Sequence, residues 1–269
     1  MNRRGFLGIS WGGRALAAAG LPLSGYRKSV EEWRARQEEA LKSDSGWLTV
    51  VGLTWLKEGR NETEFPGWFE RRGDKVLYHP PEGGAPQEMK PDSAGSPTVI
   101  TRGTKSVHII RRGERLGVRL RDTNSLFRRQ FTGRRWYPVK EEYRIEARWI
   151  PYNPPKPIIV PNVLGDKSEE KCPGVAEFTL HGKTLRLEPT LSGNRYFFVF
   201  RDQTAGKETY GAGRFLYSEL AEGGKVILDF NRAVNPPCAF TPYATCPLPP
   251  QQNRLAVRIE AGELNYGDH

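Results

Sequence analysis

Polar and apolar residues alternate with a period of two along much of the chain. From Phe65 onward, short segments rich in β-branched and aromatic residues recur, with Gly-containing turn signals between many of them. Alternation of this kind is typical of antiparallel strands that bury one face. The predicted strands are residues 68–71, 75–79, 98–100, 106–111, 116–121, 126–131, 143–151, 157–161, 174–180, 183–188, 195–201, 213–217, 225–230 and 255–260.

One segment before these strands has the period of a helix. Ser29 and Glu32 match a capping box, and Trp33 and Leu41 fall on one face of a helix that ends near Lys42. No long helices alternate with the strands. The sequence therefore predicts a mainly β fold: a single antiparallel β-sandwich or barrel-like domain with an N-terminal helix.

The stretch from Gly46 to Gly59 is almost continuously apolar and contains Trp47 and Trp55. Its length fits a buried strand followed by a turn, or a short helix, and periodicity alone does not decide between them. Either way, we expect this stretch to belong to the core.

The first residues resemble an export signal. Arg3 and Arg4 precede Phe6 and a Gly/Ala-rich stretch with an A-x-A-like end, the order of parts in a twin-arginine leader. We therefore expect residues 1–19 to be a signal segment and residues 20–269 to form one β-rich domain. The protein is then exported to the periplasm or cell envelope; without a working leader it is cytoplasmic. No stretch is long and apolar enough to predict a transmembrane segment.

The formal net charge is +10, but the basic residues are spread out. Arginine doublets are scattered among the predicted strands, whereas nucleic-acid binding is usually signalled by one continuous basic stripe. We therefore expect a small anionic or hydroxyl-rich ligand as the partner, with no nucleic acid. The sequence does not determine whether a cofactor is bound, and it does not determine the oligomeric state.

The chain has three cysteines, Cys172, Cys238 and Cys246, and they show no zinc-site spacing. No metal site is predicted. In an exported protein we expect Cys238 and Cys246 to form a disulfide. In a reducing compartment either one is a nucleophile or a buried apolar group.

Residues 229–255, called the Pro/Cys segment below, are the strongest candidate for a site. They combine prolines, both of these cysteines, aromatic residues and polar groups after a predicted strand, and polar residues at strand ends commonly line sites. A Gly-rich loop that includes Thr209, Tyr210 and Arg214 is the second candidate. We expect the two to meet in one pocket. The predicted ligand-binding residues are Thr209, Arg214, Asn231, Arg232, Asn235, Phe240, Thr241 and Asn253.

Two functions remain open for this pocket. In a hydrolytic enzyme, Asp229 would be the general base and Tyr210 or Tyr243 a polarising donor. In a non-catalytic binding or envelope protein, the Pro/Cys segment would be a scaffold. A cleft location for Asp229 favours the enzyme, whereas a salt bridge to Arg232 favours the scaffold.

Several motifs resemble a bacterial family, the domain-of-unknown-function family 1684. They are the run from Asn235 to Pro250, Gly46-Trp-Leu with its following Gly52-Leu-x-Trp, Arg119-x-Arg-Asp122, Phe131-x-Gly133, and Thr209-Tyr-Gly-x-Gly-Arg214. The chain departs from the family pattern at Val234, where a Tyr is expected, and at residues 62–65. The resemblance covers almost all of the chain after the leader and implies no particular activity.

Overall fold

The computed structural model describes residues 23–267. The predicted signal segment, residues 1–19, lies outside the described residues. Helix α1 is Leu23–Lys42 and therefore begins before the predicted capping box. The Ser29 hydroxyl donates instead to the Tyr26 carbonyl oxygen within the helix. The predicted inner face is correct, since Val30 and Leu41 are buried.

The remaining elements are mostly strands. A short helix, α2, is Leu126–Arg129, and 3-10 turns occupy Trp47–Thr49, Asp92–Ala94, Glu141–Tyr143, Phe230–Arg232, Pro237–Ala239 and Gln251–Asn253. The strands are β1 (Val50–Trp55), β2 (Gly59–Glu62), β3 (Trp68–Arg72), β4 (Lys75–His79), β5 (Gln87–Glu88), β6 (Val99–Arg102), β7 (Lys105–Arg112), β8 (Arg115–Asp122), β9 (Arg144–Pro161), β10 (Lys167–Leu180), β11 (Lys183–Leu187), β12 (Thr190–Ser192), β13 (Arg195–Phe200), β14 (Arg214–Glu219) and β15 (Lys225–Asp229).

Two antiparallel sheets from the first half of the chain share one core. Their strand orders are β1-β8-β7-β6 and β2-β3-β4-β5. Leu116, Val118 and Leu120 of β8 pack in this core with aromatic residues of β3 and β4. Because successive side chains of a strand point to opposite faces, Arg119 and Arg121 lie on the other face of β8.

Two further antiparallel sheets hold the second core. Their orders are β11-β10-β9-β15 and β12-β13-β14. Phe178 of β10, Phe198 and Phe200 of β13 and Phe230 after β15 pack together there. The prediction of a mainly β, antiparallel architecture with an N-terminal helix is therefore confirmed.

Two predicted strands have a different structure. Residues 126–131 contain helix α2, because the Ser125 side chain caps it by accepting a hydrogen bond from the Arg128 N–H. Residues 255–260 alternate buried and less buried positions but form no strand. Their backbone is held by separate hydrogen bonds and not by a strand ladder. The Leu255 N–H donates to the Arg201 carbonyl, and the Ile259 N–H donates to the Asp202 carboxylate.

Two other predicted strands, 143–151 and 157–161, are one long strand, β9. Residues 144–148 of β9 pair with β15, and residues from 148 onward, including Pro157 and Pro161, pair with β10. Proline lacks an N–H and is tolerated where a strand has an unpaired edge. The prolines therefore lie in the part of β9 that is paired on one edge, where they do not end the strand.

Candidate functional site

The predicted general base, Asp229, lies beneath helix α1. The Tyr26 hydroxyl donates to Asp229 Oδ1 at 2.7 Å, and Asn231 Nδ2 donates to the same hydroxyl at 3.0 Å. Arg232 Nε lies 3.2 Å from Asp229 Oδ2. Burial, and next the charge of Asp229, raises the pKa of Tyr26. Asp229, Asn231 and Arg232 thus form one cluster that attaches α1 to the end of β15.

The predicted anion partner Arg214 is fully buried in a different network. Its Nη2 lies 3.2 Å from Asp202 Oδ1 and donates to the Ile259 carbonyl at 3.1 Å. Thr209 shares a 2.8 Å hydrogen bond with Thr204, whose hydroxyl also binds Asp202. The Thr209–Arg214 loop therefore does not meet the Asp229 cluster in one pocket.

Three further predicted residues hold backbone segments in place. The Thr241 hydroxyl donates to the Val50 carbonyl at 2.9 Å and accepts from the Tyr243 N–H. Asn253 Nδ2 donates to the Glu188 and Val199 carbonyls, and its Oδ1 accepts from the Glu188 N–H. These contacts tie the Pro/Cys segment to β1, β13 and the end of β11.

Only part of the predicted set lies at one cavity beside helix α1. Asn235, Phe240 and Cys246 line a space of about 610 Å³ between α1, β7, β14 and the Pro/Cys segment. We call it the α1 cavity. Its other lining residues are Gln37, Ala40, Leu41, Ser43, Ser45, Gly46, Trp47, Arg112, Arg134, Phe215, Tyr217, Val234, Pro237, Thr245 and Pro247.

Packed against Trp47, which lines this cavity, is a buried arginine without a counter-charge, Arg119, which is not itself a lining residue. The Arg119 guanidinium carbon is 5.0 Å from the Trp47 ring centre. The residue is 3% exposed, and its Nε and Nη2 have no hydrogen-bond partner within residues 23–267. Burial, followed by the charges of Arg112 and Arg121, lowers the Arg119 pKa to about 10. The side chain is therefore still cationic near neutral pH.

The neighbouring charges do not neutralise Arg119. Arg121 Nη1 donates to the Gly46 carbonyl and the Thr49 hydroxyl, which are uncharged acceptors. Asp92 influences Arg119 electrostatically but already accepts a 2.8 Å hydrogen bond from Arg112. His108, opposite Arg119 in the β7–β8 ladder, has its pKa lowered to about 4 by burial and by these arginines. This group of arginines, Arg112, Arg119 and Arg121, called the arginine wall below, therefore carries net positive charge.

A second unsatisfied group belongs to the cavity lining. Asn235 donates through Nδ2 to the Leu264 carbonyl, but its buried Oδ1 has no hydrogen-bond partner within residues 23–267. Its N–H donates to Glu263 Oε2 at 2.7 Å, and Glu263 also accepts from Arg134. Burial raises the pKa of Glu263. Arg134 is therefore paired with the Glu263 carboxylate, in contrast to Arg119.

The two cysteines of the Pro/Cys segment are adjacent free thiols, not the predicted disulfide. The Cys238 N–H donates to Cys246 Sγ at 3.3 Å. A hydrogen bond from the Cys246 thiol, with a further contribution from the Tyr210 hydroxyl, lowers the Cys238 pKa. That same hydrogen bond, together with burial, raises the pKa of Cys246. Tyr210, predicted as a polarising donor, thus acts on Cys238.

Sequence reasoning missed the arginine wall. The sequence predicts Trp47 as a core residue and places Arg119 and Arg121 in a strand, without indicating a site there. The signal was present in the alternation of β8, because both arginines face away from its apolar positions. The register adds that Ser106 and His108, not acids, lie opposite them. The sequence of β8 alone does not show which residues lie opposite Arg119 and Arg121.

The described residues offer no alternative metal centre or membrane helix. In residues 23–267, no three or more His, Cys, Asp or Glu side chains are grouped to hold a metal ion. Likewise, none of the helices within this range is both long and apolar enough to cross a bilayer.

Comparisons with known proteins place the chain in a family. No curated protein matches it. It is similar to a solution NMR structure of an uncharacterized protein from Haloarcula marismortui, with 29% identity over 53% of this chain and 81% of that chain and a TM-score of 0.44. The model of the family "Protein of unknown function (DUF1684)" matches residues 129–264, which include the Pro/Cys segment. The chain belongs to this family.

Proposed function

We propose that the protein binds a small organic anion in the α1 cavity. The observation that carries the proposal is the buried Arg119 guanidinium, which lacks a counter-charge. An unpaired buried charge costs several kcal/mol, and a cation–π contact such as that with Trp47 offsets only about 1–2 kcal/mol of it. An anion in the cavity, next to Trp47 and Arg112, would supply the missing counter-charge.

The remaining lining residues suggest what accompanies the anionic group. Trp47, Phe215, Tyr217 and Phe240 offer aromatic surface to an apolar or planar ligand body. The free acceptor Asn235 Oδ1 suits a ligand hydroxyl or amide N–H. The ligand class is therefore an aromatic or hydroxylated carboxylate or phosphate.

Binding is better supported than hydrolysis. Asp229 does not line the α1 cavity and is engaged by Tyr26 and Arg232. This is the arrangement that favours the non-catalytic alternative. Within it, the Pro/Cys segment contributes Asn235 and Phe240 to the cavity wall and holds the surrounding strands together.

Thermal unfolding with benzoate, phenyl phosphate, salicylate and inorganic phosphate tests the proposal. We expect at least one aromatic anion to raise the melting temperature by about 5 °C or more at a hundredfold excess over its dissociation constant. Arg119→Met should abolish that shift. It should also stabilise the ligand-free protein by about 1 kcal/mol or more, because it removes an uncompensated buried charge.

Arg111→Met is the matched control. It removes one positive charge from the same sheet, but Arg111 pairs with Leu116 on the apolar face and with Asp74. This variant should keep the ligand-induced shift. The proposal is wrong if none of the four anions shifts the wild-type melting temperature, or if Arg119→Met retains the shift.

A further inference from the structure

Cys238 and Cys246 differ in access although they are in contact. Cys238 is half-buried, whereas Cys246 is 5% exposed and packs with Phe215 and Ala244. Cys246 Sγ lies 3.3 Å from the Cys238 backbone nitrogen, and the Cys246 thiol, with a smaller contribution from the Tyr210 hydroxyl, lowers the Cys238 pKa. In a pair of attacking and resolving cysteines, the attacking sulfur is accessible and a second thiol lies next to it. Cys238 and Cys246 have this arrangement.

The third cysteine provides an internal contrast. Cys172 is fully buried with Ile158 and Val160, and its thiol donates to the Gly174 carbonyl at 3.0 Å. Burial raises its pKa to about 11. Burial outweighs the charge of Lys156, which favours the thiolate, so Cys172 should stay inert.

We propose that Cys238 and Cys246 are a reversible dithiol–disulfide couple that exchanges with small organic disulfides, with Cys238 as the attacking sulfur. The proposal is independent of anion binding, because it rests on the contact between the two thiols and on Tyr210. It also differs from a permanent structural disulfide, since the reduced pair already has a hydrogen-bonded arrangement of its own.

The exchange has two steps. The Cys238 thiolate attacks a disulfide R–S–S–R, forms Cys238–S–S–R and releases one R–S⁻, which takes up a proton. Cys246 then loses its proton to solvent and attacks the Cys238 sulfur. This closes the Cys238–Cys246 disulfide and releases the second R–S⁻, which is also protonated. The cysteine pair loses two electrons, and R–S–S–R gains them to give two R–SH.

Formation of the mixed disulfide on Cys238 favours deprotonation of Cys246, which the second step requires. Before exchange, its hydrogen bond to Cys238 and the charge there hold the Cys246 proton. Once Cys238 carries R–S, that hydrogen bond to a thiolate is gone. The Cys238 N–H and the positive charge of Arg119 remain, and both favour a Cys246 thiolate.

The test is thiol counting on the folded, full-length protein in glutathione buffers of increasing oxidised fraction. After acid quenching and alkylation under denaturing conditions, intact mass and peptide mapping give the state of each cysteine. We expect Cys238 and Cys246 to lose their alkylation together while Cys172 keeps it. Returning the sample to reduced glutathione should restore both.

Single substitutions separate the two roles. Cys246→Ser should trap a glutathione adduct on Cys238, whereas Cys238→Ser should leave Cys246 unmodified because it is buried. Cys172→Ser is the matched control and should oxidise like the wild type. Tyr210→Phe should slow iodoacetamide alkylation of Cys238 severalfold near neutral pH and move the midpoint of its pH profile upward.

Several results would overturn the proposal. They are thiols that stay reduced at every glutathione ratio, a disulfide that reduced glutathione never opens, and adduct formation on Cys172 in the folded protein. The thiol counts are measured on the wild type, so they test the proposal even if a variant fails to fold. A failure here leaves the anion measurements unaffected.

Discussion

Arg214 and Asp202 form an ion pair inside the protein, with Arg214 Nη2 3.2 Å from Asp202 Oδ1 and each side chain 1% exposed. The same guanidinium donates to the Ile259 and Ala261 carbonyls. Asp202 in turn accepts from the Ile259 N–H at 2.8 Å. The pair therefore fastens residues 255–261, which have no strand ladder of their own, to the core.

Removing one partner of this pair should destabilise the protein strongly. We expect Asp202→Asn to lower the free energy of unfolding by about 3–5 kcal/mol, because it leaves the Arg214 charge buried and unpaired. Urea unfolding measures the loss. Glu208→Gln, which breaks the more exposed pair with Arg258, is the control and should have a much smaller effect. Equal losses would contradict the anchoring role.

Gly213 should not tolerate a side chain. Its φ is +102°, and a Cβ atom would lie 2.5 Å from the Phe200 carbonyl oxygen. We expect Gly213→Ala to lower the melting temperature clearly, since backbone strain of about 1–3 kcal/mol adds to the clash. Gly223→Ala, with a φ of +57° and no atom within 4 Å of the new Cβ, is the matched control. It should cost less in the same melting experiment.

Acid should weaken the fold through His108. Burial and, after it, the arginine wall lower the His108 pKa to about 4 from 6.5, so between these values the unfolded chain binds more protons than the folded one. Stability then rises with pH across this window. Acidification through it should remove up to about 3 kcal/mol of unfolding free energy.

Urea unfolding at about pH 7 and about pH 5 measures this effect, because the lower value lies inside the window. His108→Gln should show a smaller loss than the wild type between the two conditions. In addition, Arg119→Met should raise the His108 pKa, which an NMR titration of the imidazole reports. An unchanged pH dependence in His108→Gln would refute the assignment.

Tyr26 should hold helix α1 in place. We expect Tyr26→Phe to cost about 1–3 kcal/mol, because it removes hydrogen bonds to the buried Asp229 and Asn231 side chains. Limited proteolysis should then cut within α1 faster than in the wild type. Lys28→Gln on the exposed side is the control, as Lys28 is exposed and forms a long ion pair with Glu32 at 3.9 Å. No change in cleavage by Tyr26→Phe would exclude this role for Tyr26.

The sequence predicted most of the strands because each has a local signature. Alternation in residues 106–111 and 116–121 is a property of the strand itself, and β7 and β8 extend each prediction by a residue or two at the ends. Residues 255–260 show the limit of this signal. A segment that lies extended on a core has the same period as a strand, and only its hydrogen-bond partners tell the two apart.

The candidate site was harder to predict because polar residue types do not reveal their partners. Arg214 looked like a ligand-binding arginine, yet the fold brings Asp202 to it. Arg119 looked like any strand residue, yet the fold leaves it without an acid. Tyr210 lies far along the chain from Cys238 and reaches it only through tertiary packing. The family resemblance includes segments that contain these residues, but it does not indicate which of the residues are in contact.

Helix α1 also imposes an order of events on synthesis of the chain. Its partners Asp229 and Asn231 follow Tyr26 by 203 and 205 residues. At typical elongation rates the ribosome needs about 10–40 s to make that interval. During this time the apolar face with Val30 and Leu41 has no Pro/Cys segment to cover it. Although α1 precedes every described strand in the chain, it is therefore among the last elements to dock, and its apolar face stays uncovered until the Pro/Cys segment has been made.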